Sequence, residues 1–256
     1  MGLFNFFTQE IAMDLGTANT LIIHNDEVVV NEPSIVALNR NNLKEVLGVG
    51  KKALLMHEKT HESIKTIRPL KDGVIADFNA AELMIRELMK MIYPKKPLFP
   101  PSWRMVICIP SSITEVEKRA VRDSAEQAGA KEVYMIHEPM AAAIGAGLPI
   151  HEPCGSMIVD IGGGTTEVAV ITLKGGIFGR SVRVGGDAMD RAIVNYVKRK
   201  YNLLIGERSA EQIKIKIGSA YPLPQEKIAE LRGRNLINGL PESIDVSSVE
   251  VRDALS

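Results

Sequence analysis

The feature that most narrows the fold is a segment where one apolar run ends and another begins with only small residues between. Residues 156–172 read SMIVDIGGGTTEVAVIT. Met157, Ile158 and Val159 deliver Asp160 to the end of a buried strand, and Gly162, Gly163 and Gly164 follow. Alternation resumes at Val168, Val170 and Thr172, which places the glycines in the bend of a tight hairpin. Three consecutive glycines let the backbone turn its N–H groups toward an anion without a Cβ penalty. A carboxylate beside such a loop suits a hydrated Mg²⁺ rather than the anion itself. Taken singly, the segment reads more readily as a flexible turn.

An echo near the N-terminus changes the balance. Met13-Asp14-Leu15-Gly16-Thr17-Ala18-Asn19-Thr20 aligns with Val159-Asp160-Ile161-Gly162-Gly163-Gly164-Thr165-Thr166, matching the Asp, the first Gly and the final Thr. Each copy follows an apolar strand and precedes another, at residues 21–24 and 168–171. A repeat this far apart predicts two similar lobes, each offering one hairpin to a phosphate held between them.

A chain of 256 residues suffices for one large domain or two smaller ones. Lys+Arg and Asp+Glu both number 31, so no global field argues for nucleic acid. Cys108 and Cys154 are the only cysteines. With no secretory signal beside them, they fit a reduced cytoplasmic setting better than a disulfide. The longest apolar stretch, around residues 140–150, is too short and glycine-rich to span a bilayer.

Residues 1–7 read MGLFNFF, with Leu3, Phe4, Phe6 and Phe7 ahead of the first strand. They suit an interfacial anchor or a terminal segment folded onto the core. Strands are expected at 11–14, 21–25, 27–30 and 34–38, with Asn31-Glu32-Pro33 as a break. Residues 39–71 turn polar and basic, as a small inserted subdomain with a short helix at 50–55 would. An amphipathic helix is predicted at 77–91, carrying Leu83, Ile85, Leu88, Met89 and Ile92 at helical spacing. YPKKPLFPPSW then forbids regular structure. It holds Leu98 and Phe99 between Lys95, Lys96 and Trp103, either a membrane-dipping loop or a connector tucked into the core.

Beyond it, residues 104–110 form a buried strand, and Thr114 with Glu117 makes a capping box for a helix at 115–128. A strand at 132–136 and a helix at 140–147, with Pro139 in its first turn, complete a strand–helix–strand–helix order that implies parallel pairing. Residues 176–184 read as a strand pair, and Gly185-Gly186-Asp187 caps a helix at 188–201. Ser209 with Gln212 makes a second capping box, with Glu211 and Lys214 on one side of that helix. Strands are expected at 235–236 and 243–246. Ser247 and Glu250 cap a last helix, and the chain is expected to continue beyond it.

These motifs resemble a family. Asp14-Leu15-Gly16-Thr17-Ala18-Asn19-Thr20, Asn31-Glu32-Pro33-Ser34, RPLKDGVIAD at 68–77, HEPMAAAIGAGLPI at 137–150 and SVRVGGD at 181–187 are similar to the MreB bacterial actin homologues. The glycine hairpins alone fit any actin, Hsp70 or sugar-kinase relative, whereas residues 138–150 are specific. The resemblance implies an α/β, actin-like (ribonuclease H-like) two-lobed fold with ATP and Mg²⁺ in the interlobe cleft. Lobe I would be residues 1–144, with an inserted subdomain at about 33–74. Lobe II would be 145–256, with an insert at about 182–244 and the C-terminal remainder of both lobes missing.

Carried over residue by residue, the resemblance implies that Gly16, Thr17, Ala18 and Asn19 face the phosphates. Gly162, Gly163, Gly164 and Thr165 would clamp them from the other side. Asp14 and Asp160 would hold Mg²⁺ through water, and Gly186, Asp187, Glu211, Gln212, Ile213 and Lys214 would line the ribose and adenine. Glu138, helped by Thr166, would orient the attacking water, since phosphoryl transfer needs positioning more than a strong base. The implied function is an ATPase whose filaments lie on the inner face of the cytoplasmic membrane. There they would organise the cell-wall elongation machinery. A monomeric ATPase or sugar kinase of the same superfamily is the alternative.

Overall fold

The structure, a computed structural model, describes residues 8–57, 62–93, 101–172 and 176–256. The chain forms two compact units, Met1–Arg183 and Val184–Ser256. In the first, β1 (Thr8–Leu15), β2 (Asn19–His24) and β3 (Glu27–Pro33) make an antiparallel meander. β4 (Val36–Asn39), β5 (Asn42–Val49), helix α1 (Gly50–His57) and β6 (Ile64–Ile67) follow, then the short pair β7 (Leu70–Lys71) and β8 (Val74–Ile75). Next come α2 (Phe78–Ile92), β9 (Ser102–Ile109), α3 (Glu115–Gln127), β10 (Ala130–His137) and α4 (Glu138–Gly145). A second antiparallel sheet, β11 (Ser156–Ile161), β12 (Thr166–Thr172) and β13 (Gly176–Val182), completes the unit.

The central sheet runs β10-β9-β1-β2-β3, with β9 parallel to both β1 and β10 as the strand–helix–strand order requires. Strict alternation on β9 turns Trp103, Met105, Ile107 and Ile109 to a core shared with Ile11, Met13 and Leu15. Helix α2 adds Leu83, Met84, Ile85 and Leu88 to that core. Asp77 starts it by accepting the Ala80 N–H at 3.0 Å. The Thr114–Glu117 capping box forms as predicted.

Several expectations are corrected. Asn31-Glu32-Pro33 does not break the pattern: β3 runs through Pro33, which the edge of a sheet tolerates because no ladder donor is needed there. Residues 39–71 hold β5 and β6 on either side of β4, and the exposed Asn42, Leu43, Lys44 and Glu45 hid that pattern. Residues 176–184 give one strand, β13, rather than a pair. Trp103 itself is part of the core. It is 9% exposed, stacked on Tyr93 with ring centroids 5.9 Å apart and edge-on to His24 at 5.7 Å.

In the second unit, α5 (Gly186–Tyr201), β14 (Leu203–Leu204) and α6 (Glu207–Ile217) precede the hairpin β15 (Ile228–Asn235) and β16 (Pro241–Ser247), and α7 (Ser248–Leu255) follows. Ile193, Val197, Leu203, Ile213, Leu231 and Val246 make its core. The Ser209–Gln212 capping box does not form. Helix α6 starts a residue after Gly206, with Glu207 placed to complement its N-terminus. Of residues 235–236, Asn235 is the last residue of β15 and Leu236 lies in the turn after it; the inward residues of β15 are just Ala229 and Leu231 amid charges. The Ser247–Glu250 box is present. Glu250 also takes the Lys200 ammonium at 2.7 Å and the Tyr201 hydroxyl, tying α7 to α5.

Candidate nucleotide-binding site

The two glycine segments are equivalent turns. Leu15 pairs with Thr20 across one, Ile161 with Thr166 across the other, and four residues span each tip. In the second turn the Gly162 N–H donates to the Thr165 carbonyl at 2.8 Å. In the first, Ser34 is the latch. Its hydroxyl donates to the Gly16 carbonyl at 2.6 Å, its N–H donates to the Ala18 carbonyl at 2.9 Å, and its Oγ lies 2.9 Å from Thr20 Oγ1.

The tips meet, both lying within the first unit. A Cβ on Gly163 would sit 2.7 Å from Ala18 Cβ, and one on Gly164 would sit 2.7 Å from Thr17 Oγ1. That same Cβ would lie 3.0 Å from the backbone of Asp72, so glycine alone fits. Thr17 Oγ1 accepts the Gly73 N–H at 2.9 Å, which brings the 72–73 turn in as a third wall. Asp72 and Gly73 both hold positive φ, at 52° and 79°. Gly16, Thr17, Ala18, Asn19 and Gly162, Gly163, Gly164, Thr165 thus form one cradle.

Carboxylates gather beside it. Burial raises the Asp14 carboxyl, and the charge of Asp160 raises it further. Glu138, first residue of α4, is pushed up to about 8 by burial, then by Glu167, Asp14 and Asp160. The Cys108 thiol is pushed up to about 12 by burial, then by Asp14, Glu138 and Asp160. Asp14 and Glu138, whose ionised forms are disfavoured by burial and by neighbouring carboxylates, suit a cation. Among the described residues no three His, Cys, Asp or Glu side chains converge to ligate a metal directly. Thr166 heads β12, and the next residue, Glu167, is 2% exposed. Its carboxylate accepts the Ser111 N–H at 3.0 and 3.3 Å and the Ser111 hydroxyl at 3.0 Å. Sequence reasoning missed Ser34, Ser111 and Glu167 as site residues. The signal for Glu167 was a carboxylate at an inward register position beside Asp160.

In the second unit, Gly186 and Asp187 open α5 without a side-chain cap. Glu211 and Gln212 are exposed on α6, while Ile213 belongs to the core. Lys214 reaches Asp190 at 2.9 Å and donates to the Gly186 carbonyl at 3.1 Å, so its ionic partner is Asp190. Leu3, Phe4, Phe6, Phe7, Leu98 and Phe99 lie outside the described residues.

The family model described as MreB/Mbl protein matches residues 8–256. The cell shape-determining protein MreB of Escherichia coli is 51% identical over 253 residues, covering 97% of this chain and 73% of that protein. Mbl of Bacillus subtilis, also a cell shape-determining protein, is 48% identical over 250 residues, 97% and 74%. The crystal structures of MreB5 of Spiroplasma citri bound to ADP and to AMPPNP match with TM-scores of 0.88 and 0.87. Both are 38% identical and cover 97% of this chain and 74% of theirs. The MamK double helical filament, at 21% identity and a TM-score of 0.79 over 96% of this chain and 75% of that one, shares the fold. With its paired glycine hairpins and actin-like fold, the chain belongs to the MreB/Mbl family.

Proposed function

We propose that this protein binds ATP with Mg²⁺, hydrolyses it, and assembles with its own copies into filaments on the inner face of the cytoplasmic membrane. These would maintain rod shape by organising cell-wall synthesis during elongation. The observation that carries this reading is the closure of the two hairpin tips on each other, too tight at Gly163 and Gly164 for any side chain. Backbone N–H groups of both turns then cradle phosphate, and Thr17 is fixed by Gly73. Asp14 and Asp160 hold hydrated Mg²⁺, which supplies charge neutralisation on the phosphates. Glu138 orients the attacking water and Thr166 helps hold it. Gly186, Asp187, Glu211, Gln212, Ile213 and Lys214 are assigned to the ribose and adenine on family resemblance. A head-to-tail contact whose rotation does not close gives an open filament.

Leu98 and Phe99 would gain roughly 3–6 kcal/mol on burial in a membrane, about 1.5–3 each. That gives about millimolar binding for one subunit, so attachment depends on a polymer presenting many such loops. Residues 1–7 are a second candidate anchor. Sedimentation with anionic liposomes tests the whole reading: the protein pellets with Mg-ATP and far less without it. A Leu98→Ser, Phe99→Ser variant should assemble by light scattering yet stay in the supernatant. Failure to assemble with any nucleotide overturns the filament, and undiminished pelleting of the variant overturns the anchor.

A further inference from the structure

Glu167 and Ser111 have no assigned role in that reaction, yet they make a polar link close to the site through a carboxylate that is 2% exposed. Ser111 lies two residues past Ile109, the last residue of β9. Ile109 pairs with His137, the residue before Glu138. Ser111 and Glu138 therefore leave the central sheet at the same end, on neighbouring strands. Glu167 directly follows Thr166 on β12, in the other sheet. Alternation points its side chain away from that of Thr166, inward, where the carboxylate meets both donors of Ser111. The three hydrogen bonds thus join the sheet end that carries Glu138 to the strand that carries Thr166.

We infer that Ser111 and Glu167 form a positioning clasp that sets the separation between Glu138 and Thr166, and with it the placement of the water those two hold. The inference rests on the ATPase reading of the site. A buried carboxylate is costly unless each of its oxygens is satisfied. Here Oε1 accepts the Ser111 N–H, and Oε2 shares that N–H and takes the hydroxyl. Among the described residues the Glu167 carboxylate is hydrogen-bonded to Ser111 rather than to the glycine turns that cradle the phosphates, and its charge is also felt at Glu138. Losing the clasp should therefore spare nucleotide affinity and slow hydrolysis, because a misplacement of about 1 Å in a positioned reactant costs up to about 100-fold.

The test compares Glu167→Ala, Glu167→Gln and Ser111→Ala with the parent, by single-turnover Mg-ATP hydrolysis and by binding of a fluorescent ATP analogue. The alanine variant of Glu167 should hydrolyse about 10- to 100-fold more slowly with its dissociation constant within about threefold. The glutamine variant should recover most of that loss, since its amide oxygen still accepts from Ser111. Equal defects in both Glu167 variants, or a parallel loss of binding, would overturn the clasp. Amide hydrogen exchange without nucleotide supplies a readout independent of activity. Ser111→Ala, which keeps the backbone donor and has little reason to misfold, should speed exchange at both the 162–166 turn and residues 111–113. Unchanged exchange at either end refutes the inference. A parent that binds no nucleotide refutes the ATPase reading while leaving the exchange result to judge the clasp.

Discussion

Glu250 offers a stability experiment whose size follows from its contacts. Its side chain is 15% exposed. Oε2 accepts the Ser247 N–H and hydroxyl, each at 2.9 Å, and Oε1 takes the Lys200 ammonium at 2.7 Å and the Tyr201 hydroxyl. Burial works to raise this carboxyl, but Lys200, Tyr201 and Ser247 together hold it at about 2, against an ordinary 4.5. At about 1.4 kcal/mol per pH unit that gap corresponds to about 3 kcal/mol. Lys200 is about half exposed, and solvent screening trims the expected value to about 2 kcal/mol. The folded group binds its proton more weakly than the unfolded one. Its stabilisation is therefore complete above about pH 4.5 and is lost as pH falls toward 2. Glu250→Gln keeps the shape and removes the charge. Urea unfolding followed by far-UV circular dichroism should find it about 2 kcal/mol less stable at pH 7, with the difference closing toward pH 2. A difference under about 0.5 kcal/mol at pH 7, or one that persists undiminished at pH 2, would show that the Lys200–Glu250 contact is not what joins α5 to α7.

Two further outcomes are expected from the nucleotide site. Gly164→Ala places its Cβ 2.7 Å from Thr17 Oγ1 and 3.0 Å from Asp72, so Thr17 must turn away from the Gly73 N–H. Binding of a fluorescent ATP analogue should weaken at least about tenfold and stability fall by about 1–3 kcal/mol. Gly145→Ala, with nothing within 4 Å of its Cβ, should change neither. Glu138 is raised to about 8 from 4.5, so the folded protein holds this proton more tightly and stability falls as pH rises from about 4.5 to about 8. Without metal, Glu138→Gln should match the parent near pH 4.5 and exceed it by about 2 kcal/mol at pH 9 in thermal unfolding. With Mg-ATP the same variant should lose hydrolysis by at least about 100-fold.

The parts of this fold that could be read from sequence are those where a local rule carries the answer. Helix α2 announces itself by Leu83, Ile85 and Leu88 at helical spacing, although Asp77, expected as its first residue, caps it instead. The capping boxes at Thr114 and Ser247 are short-range chemistry and both form. The equivalence of the two glycine turns was legible because each needs the same four-residue tip. Strands β5 and β15 escaped because only one or two of their residues face inward, so period-two alternation has too few apolar points to register. The burial of Trp103 could not be read for a different reason. Its partners Tyr93 and His24 lie 10 and 79 positions away, and no window of sequence joins them. Lys214 shares this difficulty, since Asp190 outcompetes the nearer Glu211 once α5 and α6 pack. The bond between Ser111 and Glu167 spans 56 positions and follows only from the way two sheets meet.

The central sheet also dictates an order of events during synthesis. Strand β1 sits in the middle, yet its parallel neighbour β9 pairs Thr8 with Ser102, more than 90 positions later. At about 5–20 residues per second, roughly 5–20 s separate the emergence of the two strands from the ribosome. Until β9 arrives, one long edge of β1 has its backbone groups open, next to Ile11 and Met13, which are buried in the finished core. Closing so long a loop carries an entropic cost before any contact repays it. During that interval the nascent chain offers this edge to foreign strands, and a chain halted before β9 would hold β1, β2 and β3 without the β9 and β10 half of the sheet.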